Sequence, residues 1–261
     1  MRTWSVLLVV AGAALVSASA TAAAAGEPAA TAAIAAAIAS PDRPEADRAQ
    51  DERRKASEFL EFAGIAPGMT VLDAFAASGY YTELLSRVVG EGGTVIAYNN
   101  RAYARFAAKG IETRYAGNRL PNVQQLTAEV DQLELPPGSL DAAIFVMSYH
   151  DLYWRPADGS WTPTDPLQML RKLHAAMKVG GVLVVQDHVA APGGDAAEVV
   201  DKLHRIDPAV VRRDFAAAGF TLEAESPMLA HPDDDHTKGV YDPAIRGRTD
   251  QFVFKFRRPG P

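Results

Sequence analysis

Residues Thr70–Asn100 read TVLDAFAASGYYTELLSRVVGEGGTVIAYNN. The stretch predicts a strand over TVLDAF, a loop, a helix over YYTELLSRVVG stopped at Gly90, and a second strand over TVIAYN. Strand, helix and strand in this order form a parallel βαβ unit of the kind that opens nucleotide-binding folds. The first crossover in such units runs through a glycine-rich loop, because bare backbone has to approach a ligand there. Here the loop, DAFAASG, keeps a single glycine, Gly79.

The pattern repeats downstream. Strands are expected at VQQLTA, LDAAIFVMS, VLVVQDH, TLEAESPML and QFVFKF. Helices are expected at RAYARFAAKGI, at DPLQMLRKLHAAMKVGG entered through Asp165, and at DPAVVRRDFAAAGF. Upstream, SPDRPEADRAQDERRKASEFLEFAGI predicts a charged helix with an apolar face at Ala56, Phe59, Leu60 and Ala63. Strands alternating with helices require a parallel sheet covered on both faces. No helix separates the last two strands, so they are expected to form a hairpin that makes one strand antiparallel.

The chain start has its own logic. One Arg, then the apolar run VLLVVAGAALV of 11 residues, then the small residues SASA make the pattern of a signal peptide. The run is too short to span a bilayer comfortably, so cleavage after Ala20 and export are expected, with no stable membrane span. Residues 21–40 are Ala-rich and expected to act as a tether, partly helical toward its end. Residues 41–261 then hold one domain. The chain has no cysteine, which excludes disulfides, thiolate metal sites and a lipoprotein anchor. A net charge of −6 and a pI near 5.5 leave no basic stripe for nucleic acid.

Two segments carry a family likeness. NVQQLTAEVDQLELPPGSLD (Asn122–Asp141) is similar to the third strand, acidic loop and P-x-G-S-F-D step of the class I S-adenosylmethionine-dependent methyltransferases. LRKLHAAMKVGGVLVVQDH resembles their R-x-L-K-P-G-G entry to strand five. The resemblance spans roughly residues 50–256. It implies a Rossmann-like class I methyltransferase fold, α/β, with a seven-stranded mostly parallel sheet and an antiparallel last strand. GYYTELLSRVVG, SYHDLYW and the C-terminal DDDHTKGVYDPAIRGRTDQFVFKFRRP further resemble a group of signal-bearing predicted methyltransferases.

The resemblance implies S-adenosylmethionine as cofactor and a small-molecule acceptor. The family's first loop reads D/E-x-G-x-G-x-G, which aligns with Asp73, Phe75, Ala77 and Gly79. Phe75 and Ala77 thus stand where glycines would let the ligand's carboxylate touch backbone. The acid that would accept both ribose hydroxyls is replaced by Asn99, whose amide accepts one hydroxyl and donates to another. Glu129 falls where the family takes the adenine amino group. Asp73 has a structural alternative as a helix cap, and Glu129 as a solvated loop carboxylate.

Ligands of open α/β sheets bind at the carboxyl ends of the strands. Tyr149 and His150 after strand four, and His188 after strand five, are therefore candidates to orient an acceptor or remove its proton. Holding loops in place is the equal alternative. Tyr153, Trp154 and Trp161 are expected to line the same mouth, whereas His174 and His204 read as satisfied or solvated. The long segment His231–Arg248 is expected to fold over the pocket, packed on SYHDLYW, carrying His236 and Arg246 toward His150 and His188. Two other functions compete with methyl transfer. One is a metal-dependent hydrolase or lyase using YHD, DH and HPDDDH; the other is a non-catalytic small-molecule binder.

Overall fold

The computed structural model describes residues 16–260. The expected leader, residues 1–20, begins outside the described residues. A long helix α1 (Val16–Ala39) comes first, and its last turns bury Ile34 and Ala37 against the domain. The end of the Ala-rich segment is thus packed into the apolar layer of the fold. The charged stretch that follows breaks into α2 (Glu45–Arg48), α3 (Asp51–Arg54) and α4 (Ala56–Ala63). The break before α4 is at Lys55, whose φ of 49° is left-handed. Ala56, Phe59, Leu60 and Ala63 are all buried, as their spacing requires.

Seven strands form one sheet: β1 (Thr70–Ala74), β2 (Thr94–Asn99), β3 (Val123–Thr127), β4 (Leu140–Val146), β5 (Met177–His188), β6 (Thr221–Ser226) and β7 (Gln251–Arg257). Their order is β3-β2-β1-β4-β5-β7-β6. The pairs from β3 through β5 are parallel, and β7 runs antiparallel between β5 and β6. The expected final hairpin forms, with β7 inserted antiparallel between β5 and β6 as the resemblance implied. Insertion gives Val253, Phe254 and Phe256 neighbours on both sides, and all three are buried.

Helices α5 (Tyr80–Val89), α6 (Arg101–Phe106), α7 (Ala108–Tyr115), α8 (Pro166–Ala176), α9 (Ala196–Leu203) and α10 (Pro208–Ala217) supply the crossovers. The helix expected over RAYARFAAKGI is divided into α6 and α7 at Ala107. The sequence reading did not foresee α9, although Asp195 caps it by accepting the Glu198 N–H at 3.0 Å. That Asp-x-x-Glu spacing was its signal. Two apolar cores, one on each face of the sheet, account for the near-continuous apolar runs of β1 and β4. Among the described residues no helix is long and apolar enough to cross a membrane.

Ion pairs fasten the N-terminal segment in addition to its apolar contacts. Arg43 holds Asp51 through two hydrogen bonds of 2.7 Å, and Tyr80 donates to the same carboxylate at 2.6 Å. Arg114 bridges Asp47 and Glu83, each at 2.5 Å. Burial alone would raise the Glu83 carboxyl, but hydrogen bonds from Arg119, Arg87 and Arg114 hold it down at about 2. This web fixes α3 beside the first turn of α5, at the carboxyl edge of the sheet.

Candidate active site

The loop after β1 is built on left-handed backbone. Phe75, Ala77 and Gly79 have φ of 55°, 50° and 83°. The chain has therefore kept the backbone path of a three-glycine loop while filling two of its glycine positions. Left-handed geometry costs about 1–2 kcal/mol at each non-glycine residue. Two local devices offset that cost.

At Ala77 the device is Asn99. Its Oδ1 accepts the Ala77 N–H at 2.9 Å, and its Nδ2 donates to the Ala77 carbonyl at 3.2 Å. A carboxylate could do only the first. The amide at the end of β2 thus serves the loop in both directions, which leaves little of it for the ribose contact that the resemblance implied. At Phe75 the device is aromatic packing. Its ring stacks on Tyr103 at 5.1 Å and meets Tyr98, Phe145 and Trp161 at 5.5, 6.1 and 6.0 Å. Such pairs each contribute about 0.5–1.5 kcal/mol beyond area burial.

At Gly79 a side chain would be strained by the backbone and would also have to displace the end of Tyr115. An added Cβ would lie 2.8 Å from the Tyr115 hydroxyl, besides suffering the positive φ. Asp73 is fully buried and accepts the Thr82 hydroxyl at 2.6 Å. Burial dominates its titration and pushes the carboxyl up to about 7, against the pull of the Thr82 bond.

Between this loop and the end of β4 lies a cleft of about 200 Å³, lined by Arg54, Asp73, Phe75, Tyr81, Tyr103 and Met147 among others. Small-molecule sites usually enclose at least ~300 Å³. The Phe75 ring occupies space that a glycine would leave open.

Two buried polar atoms beside the ends of β2 and β3 have no hydrogen-bond partner, Glu129 Oε2 and Asn100 Nδ2. Glu129 is 8% exposed and Asn100 1%. One accepts and the other donates, which is the complement that the edge of an aminopurine offers. Unpartnered buried groups are rare and call for an occupant. The residues present therefore fit an adenosyl group in the family's manner at Glu129, and depart from that manner at Asn99 and Phe75.

Beyond β4 and β5 the histidine and tyrosine candidates are partnered, whereas Gln186 Oε1 and Trp161 Nε1 are not. His150 Nδ1 meets Asp187 Oδ1 at 2.7 Å, and its backbone N–H donates to Asp187 Oδ2 at 2.9 Å. On the other side its Nε2 lies 3.4 Å from Asp151, whose second oxygen accepts the Tyr103 hydroxyl at 2.5 Å. Burial would lower the His150 imidazole, but the charges of Asp187 and Asp151 raise it to about 9. The two flanking carboxylates thus favour its charged form.

His188 is the opposite case. Burial outweighs Asp187 and lowers it to about 4, while Nδ1 pairs with Thr249 Oγ1 at 2.8 Å. Tyr149 is buried and donates to Asp214 on α10 at 2.9 Å, and Tyr153 shares that carboxylate. The Tyr149 hydroxyl is thus committed to the core side of the sheet. Trp161 covers the loop, packed on Phe75 and Tyr103.

The segment His231–Arg248 leaves β6 at the carboxyl edge and binds mainly to the end of α9. Asp234 pairs with Arg205 at 2.9 Å, and the Val240 N–H donates to the Leu203 carbonyl at 3.1 Å. His236 pairs with Asp250 at 3.1 Å, and among the described residues makes no ring contact or hydrogen bond with His150 or His188. The residue this connection delivers to His188 is Thr249. Its link to SYHDLYW passes through His204, whose ring meets Tyr241, Trp154 and His150 at 5.2, 5.4 and 5.7 Å. His204, read from the sequence as satisfied or solvated, is the junction of this cluster. The sequence pointed to Asp151 and Asp187 only as possible metal ligands in YHD and DH, and did not point to Tyr103, Arg54 or Tyr81 as site residues. For Asp187 the signal was present, since it lies at the carboxyl end of a predicted strand. Among the described residues no three His, Asp or Glu side chains gather in a way that could hold a metal ion.

The strand order with its inserted antiparallel β7, and a cleft at the β1 loop, define the Rossmann-like class I methyltransferase fold. Solved structures with this fold include a SAM-dependent methyltransferase from Aquifex aeolicus. It is 21% identical with a TM-score of 0.55, over 85% of this chain and 96% of the other. The [4+2]-cyclase SpnF is 19% identical with a TM-score of 0.55, over 80% and 82% of the two chains. By sequence, the chain is 26% identical over 190 residues to the ubiquinone/menaquinone biosynthesis C-methyltransferase UbiE of Pectobacterium carotovorum, covering 71% of this chain and 69% of that one. UbiE of Pectobacterium atrosepticum matches equally. No family model matches.

Proposed function

We propose that this protein is a class I methyltransferase that uses S-adenosylmethionine to methylate a small-molecule acceptor, and that it works outside the cytoplasmic membrane. The carrying observation is the cleft at the β1 loop together with the unpartnered Glu129 Oε2 beside it. The cofactor supplies a sulfonium-activated methyl group that is passed on by direct displacement. No covalent enzyme intermediate is required, so orientation carries most of the rate.

In this reading Glu129 and Asn100 hold the adenine edge, and the 75–79 loop bounds the methionyl end. Tyr103 and Met147 form the wall facing the acceptor. His150, fixed as an imidazolium between Asp187 and Asp151, positions Tyr103 through Asp151. Tyr149 and His236 act as supports of the surrounding loops. The export signal read in residues 1–20 supports a periplasmic or envelope location.

Isothermal titration calorimetry of the purified protein with S-adenosylmethionine and S-adenosylhomocysteine tests the reading. Saturable binding of both is expected, and the absence of heat up to millimolar ligand overturns it. The [4+2]-cyclase on the same fold gives a second reading a footing, in which a bound adenosyl ligand serves a reaction other than methyl transfer. Binding without transfer of labelled methyl to any envelope extract would favour that reading. Fractionation that finds only full-length protein in the cytoplasm would overturn the location.

A further inference from the structure

The β1 loop has given up the bare backbone that the resemblance assigns to the ligand's carboxylate. We infer that carboxylate recognition has moved to two side chains, Arg54 and Tyr81, which form an amino-acid carboxylate subsite in the wall of the cleft. This rests on the cofactor reading above and adds to it the residues that read the methionyl end.

Three observations carry it. First, both residues line the same cleft as Phe75, Ala76 and Ala77. Second, the Tyr81 hydroxyl is buried without any hydrogen-bond partner, on a residue only 4% exposed. A buried hydroxyl without a partner costs about 1–3 kcal/mol, so an acceptor arriving with a ligand recovers what the empty pocket forfeits. Third, Arg54 lines the cleft near enough for its charge to act on Tyr81. Its guanidinium lies 4.5 Å over the Tyr80 ring, and its Nε donates to Gln50 at 3.1 Å. Its terminal nitrogens make no hydrogen bond among the described residues. The ion web that fastens α3 to α5 through Arg43, Asp51 and Tyr80 keeps it there.

A neutral donor and a forked cation facing one cleft match a carboxylate. Asp73 lines the same cleft as a buried carboxyl held by Thr82 and raised to about 7, and an ammonium beside it would favour its charged form. The cleft therefore discriminates the two ends of an α-amino acid, carboxylate toward Arg54 and Tyr81 and ammonium toward Asp73.

The test compares S-adenosylmethionine with its decarboxylated form by calorimetry, in full-length wild type, Arg54→Met, Arg54→Lys and Tyr81→Phe. Melting curves establish that each variant is folded. Wild type is expected to prefer the carboxylate-bearing compound by about tenfold or more, a charge-assisted hydrogen-bond's worth. Arg54→Met should erase that preference while leaving the decarboxylated compound's affinity unchanged, and Arg54→Lys should keep part of it. Tyr81→Phe should reduce the preference about threefold. If both compounds bind wild type alike, or Arg54→Met weakens both equally, the subsite is overturned and the cofactor reading stands. If neither compound binds wild type, both fall. Should Arg54→Met not fold, Arg54→Lys and Tyr81→Phe decide alone, and an unchanged preference in both rejects the subsite.

Discussion

The two halves of the sheet's carboxyl edge are built on opposite principles. The half around β1 and β2 carries strain and unmet bonding capacity: left-handed Phe75 and Ala77, a cleft, and unpartnered atoms on Tyr81, Asn100 and Glu129. In the half around β4 and β5, the candidate side chains are paired off. His150 is held by Asp187, His188 by Thr249, Tyr149 by Asp214 and His236 by Asp250. Unmet bonding capacity and stored strain mark a surface awaiting a ligand. Pairing of these candidate side chains marks a frame, even though Gln186 Oε1 on β5 has no partner and Met147 after β4 is left-handed. The histidines that attract the eye in the sequence are tied to neighbouring side chains, and the sparse loop borders the cleft.

The largest effect expected from breaking this contrast comes from the frame. Asp187→Ala leaves the His150 imidazolium buried beside a lost partner and should destabilise the protein by about 3–5 kcal/mol in urea titrations. A loss under 1 kcal/mol would mean that the frame is not held by this pair.

The same pairing sets the pH limits. His150 has its folded value raised to about 9 from 6.5, so its stabilisation is complete below 6.5 and lost as pH rises through 9. For His188, lowered to about 4, stabilisation is complete above 6.5 and lost as pH falls through 4. Chemical denaturation across pH should show a maximum near 6.5, and His188→Gln should soften the acid limb only. An acid limb unchanged in that variant would reassign it to the carboxylates.

Phe75→Gly probes the site half. Loss of the ring costs about 3–5 kcal/mol and relief of left-handed strain returns about 1–2, for a net loss of about 2. The widened cleft should bind S-adenosylmethionine more tightly despite that loss. Equal affinity would show that the ring lies outside the ligand's space.

Asn99→Asp removes one of two bonds to Ala77 and should destabilise by about 1 kcal/mol. Restoring the family's acid alone is therefore expected to loosen the loop before it helps any ribose contact. Smallest of all, Ala77→Gly should leave stability within about 1 kcal/mol of wild type, with strain relief opposed by the entropy of glycine. A large loss there would mean that the Ala77 methyl packs in a way the amide clamp does not explain.

The β-strand and helix alternation, the class of fold and the burial of Ala56, Phe59, Leu60 and Ala63 were legible in the residues, because periodicity and glycine stops are local properties of the chain. The loop's departure from three glycines was legible too. Its consequence was not. Whether Phe75 would empty the site or pack beneath it depended on Tyr103, Phe145 and Trp161, which come from three other segments. Asn99 looked like a weakened ribose ligand until its amide was found on Ala77, 22 residues away. His150 and His188, similar as sequence signals, are driven to opposite charge states because one is flanked by two carboxylates and the other is chiefly desolvated. Such outcomes depend on what lies within a few ångströms, and that neighbourhood is assembled by tertiary packing from residues that the sequence keeps far apart.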